Sequence, residues 1–271
     1  GGGVIFGCHG TVMERDSTLI CADFPGKAVD CLKRRFQVPF LYLQGASGNI
    51  CQVDVWNSAS VECGIAHIEK MGCAIGEAAA QVIATSPAAA ATRWSVRRAT
   101  VQLARRASSP ELLEWARKHV DSKVAPTDLS NYGVERFDRE APKVGLENLL
   151  NSTYGADFYA HEVRTREALR LKSPTVDFEI MVLILGELAI VALPCELFVE
   201  WENLIIGNSP FAHTVVVELT NGGHGYIPSL KAFQRPGGYE TRDVSSTVLV
   251  PEAGNQVYEK VMELLNTGKK P

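Results

Sequence analysis

The chain has 271 residues, of which 46% are hydrophobic and 21% charged, as in an ordinary globular protein, and this length allows one large domain or two small ones. The formal net charge of −4 gives no basic surface for nucleic acid. No apolar run reaches the roughly 18 residues needed to cross a bilayer, so the sequence predicts no transmembrane segment. The seven cysteines are an odd number, which argues against a closed disulfide framework and leaves the compartment open.

Strands alternate with helices along most of the chain, which predicts an α/β fold: a layered domain of mixed, largely buried sheet flanked by helices. The residues at 22–26 are expected to form a turn, and those at 123–156 a long surface excursion. In chain order, period-2 and apolar runs predict strands at 4–8, 40–43, 94–103, 176–185, 188–193 and 214–219. Helical spacing predicts helices at 27–36, 62–83, 110–120, 157–171, 197–206 and 254–265.

The stretch Val176–Glu196 carries the clearest pattern. Two apolar runs flank Gly186-Glu187, which predicts a hairpin, and the second run is apolar enough to be covered on both faces. That run ends at Pro194, and Glu196 follows where a strand gives way to a helix. A carboxylate there either serves chemistry or only complements the helix dipole.

Unusual residues follow several other predicted strands. His9 follows the first strand, the small-residue turn Gly48-Asn49 follows the second, and Tyr226 follows the strand at 214–219. Sites in open α/β sheets form outside the carboxyl ends of strands. One His, one Glu and one Tyr at such ends could share a zinc ion, which accepts nitrogen and oxygen ligands. The alternatives are a structural histidine and a plain turn.

Six ordered segments resemble the neutral/alkaline, non-lysosomal ceramidase catalytic domain, and more closely its shorter bacterial relatives. They cover roughly residues 1–250. The segments are Cys8-His9-Gly10-Thr11, Cys21-Ala22-Asp23-Phe24-Pro25-Gly26, Leu43-Gln44-Gly45-Ala46-Ser47-Gly48-Asn49, Leu193-Pro194-Cys195-Glu196, Asn221-Gly222-Gly223-His224-Gly225-Tyr226 and Gly238-Tyr239-Glu240. No single segment is specific, but the ordered set is fairly so.

The resemblance implies a zinc ion held by two His, a Glu and a Tyr. His9 would be the second of those His, with Glu196 and Tyr226 as the other two recognised metal ligands. The first His belongs to an upstream Thr-His-x-His-Ser-Gly-Pro-like motif that has no match here. The chain also starts with a strand under way, so we expect a single catalytic domain over 1–271 without its N-terminal part. Tyr239 would help hold the polar end of the substrate, with Gly48 allowing close backbone approach.

Two departures from the family pattern concern the substrate. The family's Gly-Asp-Val-Ser-Pro-Asn loop reads here Gly48-Asn49-Ile50-Cys51-Gln52-Val53, so Asn49 replaces Asp and Cys51 replaces the Ser beside the zinc. The immunoglobulin-like C-terminal domain of true ceramidases is also absent from this chain. Cys51 is either a nucleophile or, as we favour, a small buried filler of the turn.

The sequence therefore predicts a zinc-dependent hydrolase of a C–N amide bond, with an N-acyl small molecule, such as an N-acyl lipid, as substrate. Tyr226, Cys51 and Asn49 are its candidate catalytic residues. A related metallohydrolase acting on another small amide or ester, such as a sugar derivative, is an alternative. A binding domain that has lost the metal is another. Secretion or periplasmic location is implied by the resemblance alone.

Overall fold

The computed structural model describes residues 1–14, 17–53, 62–86, 93–120, 153–235 and 238–269. Most of the predicted surface excursion at 123–156 lies outside the described residues. Helices and mixed sheets alternate along the rest, so the α/β fold class is confirmed. None of the helices within the described ranges has the length and apolarity needed to cross a membrane.

Six of the seven α-helices among the described residues lie at predicted positions, and α6 was not predicted. They are α1 (Asp23–Phe36), α2 (Ile65–Thr85), α3 (Pro110–His119), α4 (Thr153–Lys172), α5 (Val199–Asn208), α6 (Leu230–Phe233) and α7 (Ala253–Gly268). Ser109 caps α3 by accepting a hydrogen bond from the Leu112 N–H at 3.1 Å, as its sequence predicts. The expected turn at 22–26 is wrong, because α1 already begins at Asp23. Proline and glycine in a first helical turn leave the helix unbroken, since those N–H groups have no intrahelical partner.

The strands are β1 (Gly2–Phe6), β2 (Phe40–Gln44), β3 (Trp94–Ala104), β4 (Thr175–Leu185), β5 (Leu188–Ala192), β6 (Glu196–Leu197), β7 (His213–Val217) and β8 (Tyr226–Ile227). The predicted hairpin is confirmed as antiparallel β4 and β5, with Leu185 opposite Leu188. β5 also pairs in parallel with β7, within a sheet of order β3-β4-β5-β7. β1 and β2 form a separate parallel pair.

The described chain divides into two compact units. The first contains residues 1–99, 179–223 and 258–271, and the second contains 100–178 and 224–257.

In the first unit, α1 and α2 pack closely over β1 and β2. Val4, Leu32 and Phe40 are buried together in this layer. Gly72 and Gly76 on α2 let the two helices approach, because a Cβ at Gly72 would lie 2.4 Å from the Lys27 Cβ. This layer supports the strand ends from which the candidate site is built.

In the second unit, α3 and α4 pack around Ala116, Ala160 and Val163. Arg166 on α4 is only 3% exposed and lies 2.7 Å from Asp243. Its guanidinium also donates to the Arg106 carbonyl at 3.1 Å. Burial lowers the pKa of Arg166, while Asp243 acts in the opposite direction. This buried ion pair anchors the segment that follows Tyr239.

Candidate functional site

Four strand ends of the first unit gather at one edge because their pairing is parallel. β1 lies parallel to β2, and β5 parallel to β7, so the loops that follow them emerge on the same side. The two pairs are joined where the Glu218 N–H donates to the Gln44 carbonyl at 2.9 Å. This topology collects His9, the Ser47-Gly48-Asn49 loop, Glu196 and Glu218.

His9 and Glu196 lie side by side in this cluster. The His9 Nε2 is 3.8 Å from the Glu196 Oε2, and the side chains are 25% and 22% exposed. Two ligands of one tetrahedral zinc, each bonded at 2.0–2.2 Å, lie about 3.4 Å apart. The observed distance therefore fits a shared ion, and it equally fits a histidine–carboxylate ion pair. Both side chains are accessible enough to meet a ligand.

Gly48 is needed for close packing beneath Glu196. Its N–H donates to the Leu197 carbonyl at 2.8 Å. A Cβ at Gly48 would lie 2.7 Å from the Glu196 carbonyl oxygen, closer than real Cβ atoms approach. The glycine therefore lets the two loops touch through their backbones, and its predicted substrate contact stays a prediction.

The Asn49 side chain caps α5. Its Oδ1 accepts from the Val199 N–H at 2.9 Å, and its Nδ2 donates to Glu200 at 2.8 Å. Although Phe198 is the N-cap residue, this side chain from another loop satisfies one of the helix's open N–H groups. The structure thus gives Asn49 a role in fixing the start of the helix after Glu196, and its predicted catalytic role remains untested.

Asp23 fixes the loop that carries His9. Its carboxylate accepts from the N–H groups of Val12, Met13 and Phe24 at 3.0, 2.8 and 2.8 Å. Its backbone φ is +52°, a left-handed conformation that costs energy in any residue with a side chain. Three hydrogen bonds offset this cost and hold the His9 loop against α1.

Glu218 occupies the centre of the cluster and was not predicted as a site residue. It is 2% exposed and contacts the backbone of both loops, through the N–H groups of Ser47 and Leu197. Burial raises the pKa of Glu218 to about 7, although the donated hydrogen bonds act in the opposite direction. The available sequence signal was a charged residue directly after the apolar run Val215-Val216-Val217.

Cys51 lies apart from this buried network. It is exposed, and its Sγ contacts the Val53 carbonyl at 3.4 Å within its own loop. The expectation that Cys51 is a buried filler is therefore wrong. Its nucleophilic role stays a prediction. By contrast, burial raises the pKa of the Cys8 thiol to about 11 and that of Cys195 well above its usual value.

The two candidate tyrosines lie together in the second unit. The rings of Tyr226 and Tyr239 are 5.9 Å apart and nearly perpendicular, at 82°. Tyr226 is 9% exposed, Tyr239 is 51% exposed, and the Arg242 guanidinium lies over the Tyr239 ring at 5.5 Å. Gly225, with φ +76°, comes so close to Ser246 that no side chain would fit. Because Tyr226 belongs to the other unit, its convergence with His9 and Glu196 remains a prediction.

The predicted metal site can be compared with the positions of the potential ligands in the described residues. Across those ranges, no group of three or more His, Cys, Asp and Glu is placed to hold a metal ion. A zinc ion bound by His9 and Glu196 would need further donors, and their identity stays a prediction. His224, another conceivable ligand, lies with its ring 5.6 Å from that of Phe178, and burial lowers its pKa.

Comparison with known proteins gives structural relatives. A neutral ceramidase from Pseudomonas aeruginosa superposes with a TM-score of 0.61 at 15% identity, covering 98% of this chain and 44% of that chain. A ceramidase complexed with C2 gives a TM-score of 0.60 at 14% identity, with coverages of 98% and 46%. The chain thus spans less than half the length of either relative. Its sequence matches no protein-family model and no curated protein. The predicted resemblance to ceramidases is confirmed at the level of the fold.

Proposed function

We propose that the chain is part of a zinc-dependent hydrolase that cleaves the C–N amide bond of an N-acyl substrate. The observation that carries the proposal is the His9–Glu196 pair, 3.8 Å apart at the carboxyl ends of strands, within a fold shared with ceramidases. Imidazole nitrogen and carboxylate oxygen are ligands that zinc accepts. Both structural relatives are ceramidases, so an N-acyl lipid amide is the first substrate to test.

In the proposed reaction, the candidate residues bind the metal, stabilise charge and contact the substrate. His9 Nε2 and a Glu196 carboxylate oxygen would hold the metal, with Tyr226 as the proposed third ligand. Bound zinc would supply a water of lowered pKa and polarise the acyl oxygen. The Tyr226 hydroxyl would help to stabilise the charge that develops on that oxygen. Tyr239, half exposed beside Tyr226, would contact the polar end of the substrate.

Zinc affinity is the first experiment. The purified chain is titrated with zinc against a chromophoric chelator, in parallel with His9→Ala and Glu196→Gln. Loss of one ligand weakens affinity by about tenfold or more. Matched controls are His213→Ala and Glu77→Gln, both exposed and outside the cluster, which should leave affinity unchanged. If the site variants bind zinc as tightly as the controls do, the proposed metal site is wrong.

A substrate panel separates the proposal from its alternatives. Ceramide, a short N-acyl amide, an N-acetylated sugar and the matching esters are tested with zinc present. Turnover of the N-acyl lipid alone supports the proposed substrate, and turnover of the sugar derivative or esters supports the related metallohydrolase. Zinc-independent binding of these compounds without turnover supports the binding domain.

Cys51 is tested by comparing Cys51→Ala with Glu196→Ala in the same assay. Attack by a metal-activated water needs no covalent intermediate. In a full-length protein, Cys51→Ala should then keep most of the activity, while Glu196→Ala should abolish it. A Cys51→Ala protein that binds zinc but is as inactive as Glu196→Ala would make Cys51 the nucleophile.

A further inference from the structure

Glu218 is a carboxylate buried where the loops of the candidate site meet. It directly follows β7 and is 2% exposed. Its neighbours on the chain are apolar, so it is not part of a polar surface. Within the described residues its side chain makes no ion pair with Lys or Arg, and its hydrogen-bond partners are N–H and O–H groups. A carboxylate buried without a cation is costly, and such groups are kept where they satisfy specific donors.

The partners of Glu218 are the backbones of two loops. Its Oε2 accepts from the Ser47 N–H at 3.1 Å and from the Leu197 N–H at 2.9 Å. The Ser47 hydroxyl donates to its Oε1 and in turn accepts from the Gln44 Nε2 at 3.0 Å. One side chain therefore ties the loop after β2 to the loop after β5.

Leu197 is the residue immediately after Glu196, so this contact acts on the candidate ligand. The Leu197 N–H, which belongs to the peptide that joins Glu196 to Leu197, donates to Glu218. The Leu197 carbonyl accepts from the Gly48 N–H at 2.8 Å. With the backbone fixed on both sides of Leu197, the direction of the Glu196 side chain toward His9 is fixed as well. A displacement of about 1 Å at a reacting group can cost about a hundredfold in rate.

We propose that Glu218 is a positioning residue, which sets the place of Glu196 by bridging the Ser47 and Leu197 backbones. The effect of Glu218 on catalysis rests on the proposed function. The hydrogen-bonded bridge between the two loops does not, because the hydrogen bonds themselves define it. In the described part of the chain, the Glu218 side chain hydrogen-bonds Ser47 and the Leu197 N–H, so it acts through the loop backbone.

The experiment compares the wild-type chain with Glu218→Gln, Ser47→Ala and the surface control Glu77→Gln. Hydrogen exchange is followed in segments 44–49 and 195–199, with α1 as an internal reference for global stability. Glu218→Gln keeps the shape but replaces one acceptor oxygen by a donor. We expect exchange in both segments to accelerate by about tenfold or more, while α1 stays protected. Ser47→Ala, which removes one donor and keeps the carboxylate, should give a smaller effect.

Zinc affinity and kinetics complete the test. Glu218→Gln should weaken zinc binding by about tenfold, and lower kcat with KM changed by less than about twofold. Unchanged exchange in both loops, or exchange that rises equally in α1, would overturn the bridge. Accelerated exchange with unchanged zinc affinity would overturn the link to Glu196. A longer protein that includes the upstream segment, yet neither binds zinc nor turns over amides, would refute the proposed function, while the exchange result would still decide the bridge.

Discussion

Replacing Asp23 by glycine and by alanine separates its hydrogen bonds from its backbone conformation. Both variants lose the carboxylate that accepts from Val12, Met13 and Phe24. Only the alanine keeps a side chain at φ +52°. The difference between the two variants therefore measures the left-handed conformation, and their common loss measures the hydrogen bonds.

The magnitude follows from burial. Val12 is 1% exposed, so its N–H loses its partner out of reach of water, at about 1–3 kcal/mol. The other two N–H groups add about 1 kcal/mol each, giving about 3–5 kcal/mol for Asp23→Gly. Asp23→Ala should cost about 1 kcal/mol more.

The assay is urea unfolding at neutral pH, with Asp30→Ala as control, because Asp30 is an exposed aspartate on the same helix. The control should change the free energy of unfolding by less than about 0.5 kcal/mol. An Asp23→Gly variant as stable as the wild type would refute the role of the carboxylate. Equal stabilities of the glycine and alanine variants would refute the backbone argument.

Three further predictions concern the first unit. Gly72→Ala should destabilise the protein by about 1–3 kcal/mol, because its Cβ would lie 2.4 Å from the Lys27 Cβ. Gly207→Ala, which has open space around it, should stabilise the protein by up to about 1 kcal/mol. Equal effects of the two variants in urea unfolding would contradict the close packing of α1 on α2. The Sγ atoms of Cys31 and Cys73 are 3.3 Å apart, so exchange with oxidised glutathione should give a protein disulfide and two glutathione thiols. This disulfide should stabilise the folded protein by about 2–4 kcal/mol. Mass spectrometry that shows only glutathione adducts would refute the disulfide. Burial raises the pKa of Glu218 from 4.5 to about 7, so its contribution to stability is full below the unfolded pKa and is lost as pH rises through the folded pKa. Between pH 4.5 and pH 8 the metal-free wild type should therefore lose about 3 kcal/mol of unfolding free energy relative to Glu218→Gln. Parallel pH–stability curves of the two proteins would exclude this pKa shift.

The sequence predicted what local periodicity encodes. The β4–β5 hairpin was visible because two apolar runs flank a two-residue turn, and α3 because Ser109-Pro110 is a strong helix start. That Glu196 follows a buried strand was also visible, because the apolar run at 188–193 ends at Pro194, although Glu196 itself begins the short strand β6.

Other features of the site are not encoded in neighbouring residues. Glu218 was placed inside a predicted strand at 214–219, but β7 ends at Val217 and the carboxylate turns to partners far away in sequence. Asp23 was assigned to a turn because Pro25-Gly26 is a turn signal, whereas its true conformation depends on N–H groups of the His9 loop. Cys51 was expected to be buried because free cysteines usually are, and exposure is decided by packing between loops.

The distance in sequence between Glu218 and Ser47 has a consequence for the order of folding. The two residues are 171 positions apart, so the chain must close a long loop before this contact forms. β1, β2 and the two helices over them involve much shorter separations and can assemble earlier. We expect the contact to be absent from the folding transition state, so that Glu218→Gln speeds unfolding and leaves the refolding rate unchanged. A nascent chain halted before β7 would then contain the His9 loop and its helices, but with Ser47 still lacking the carboxylate that orders the site.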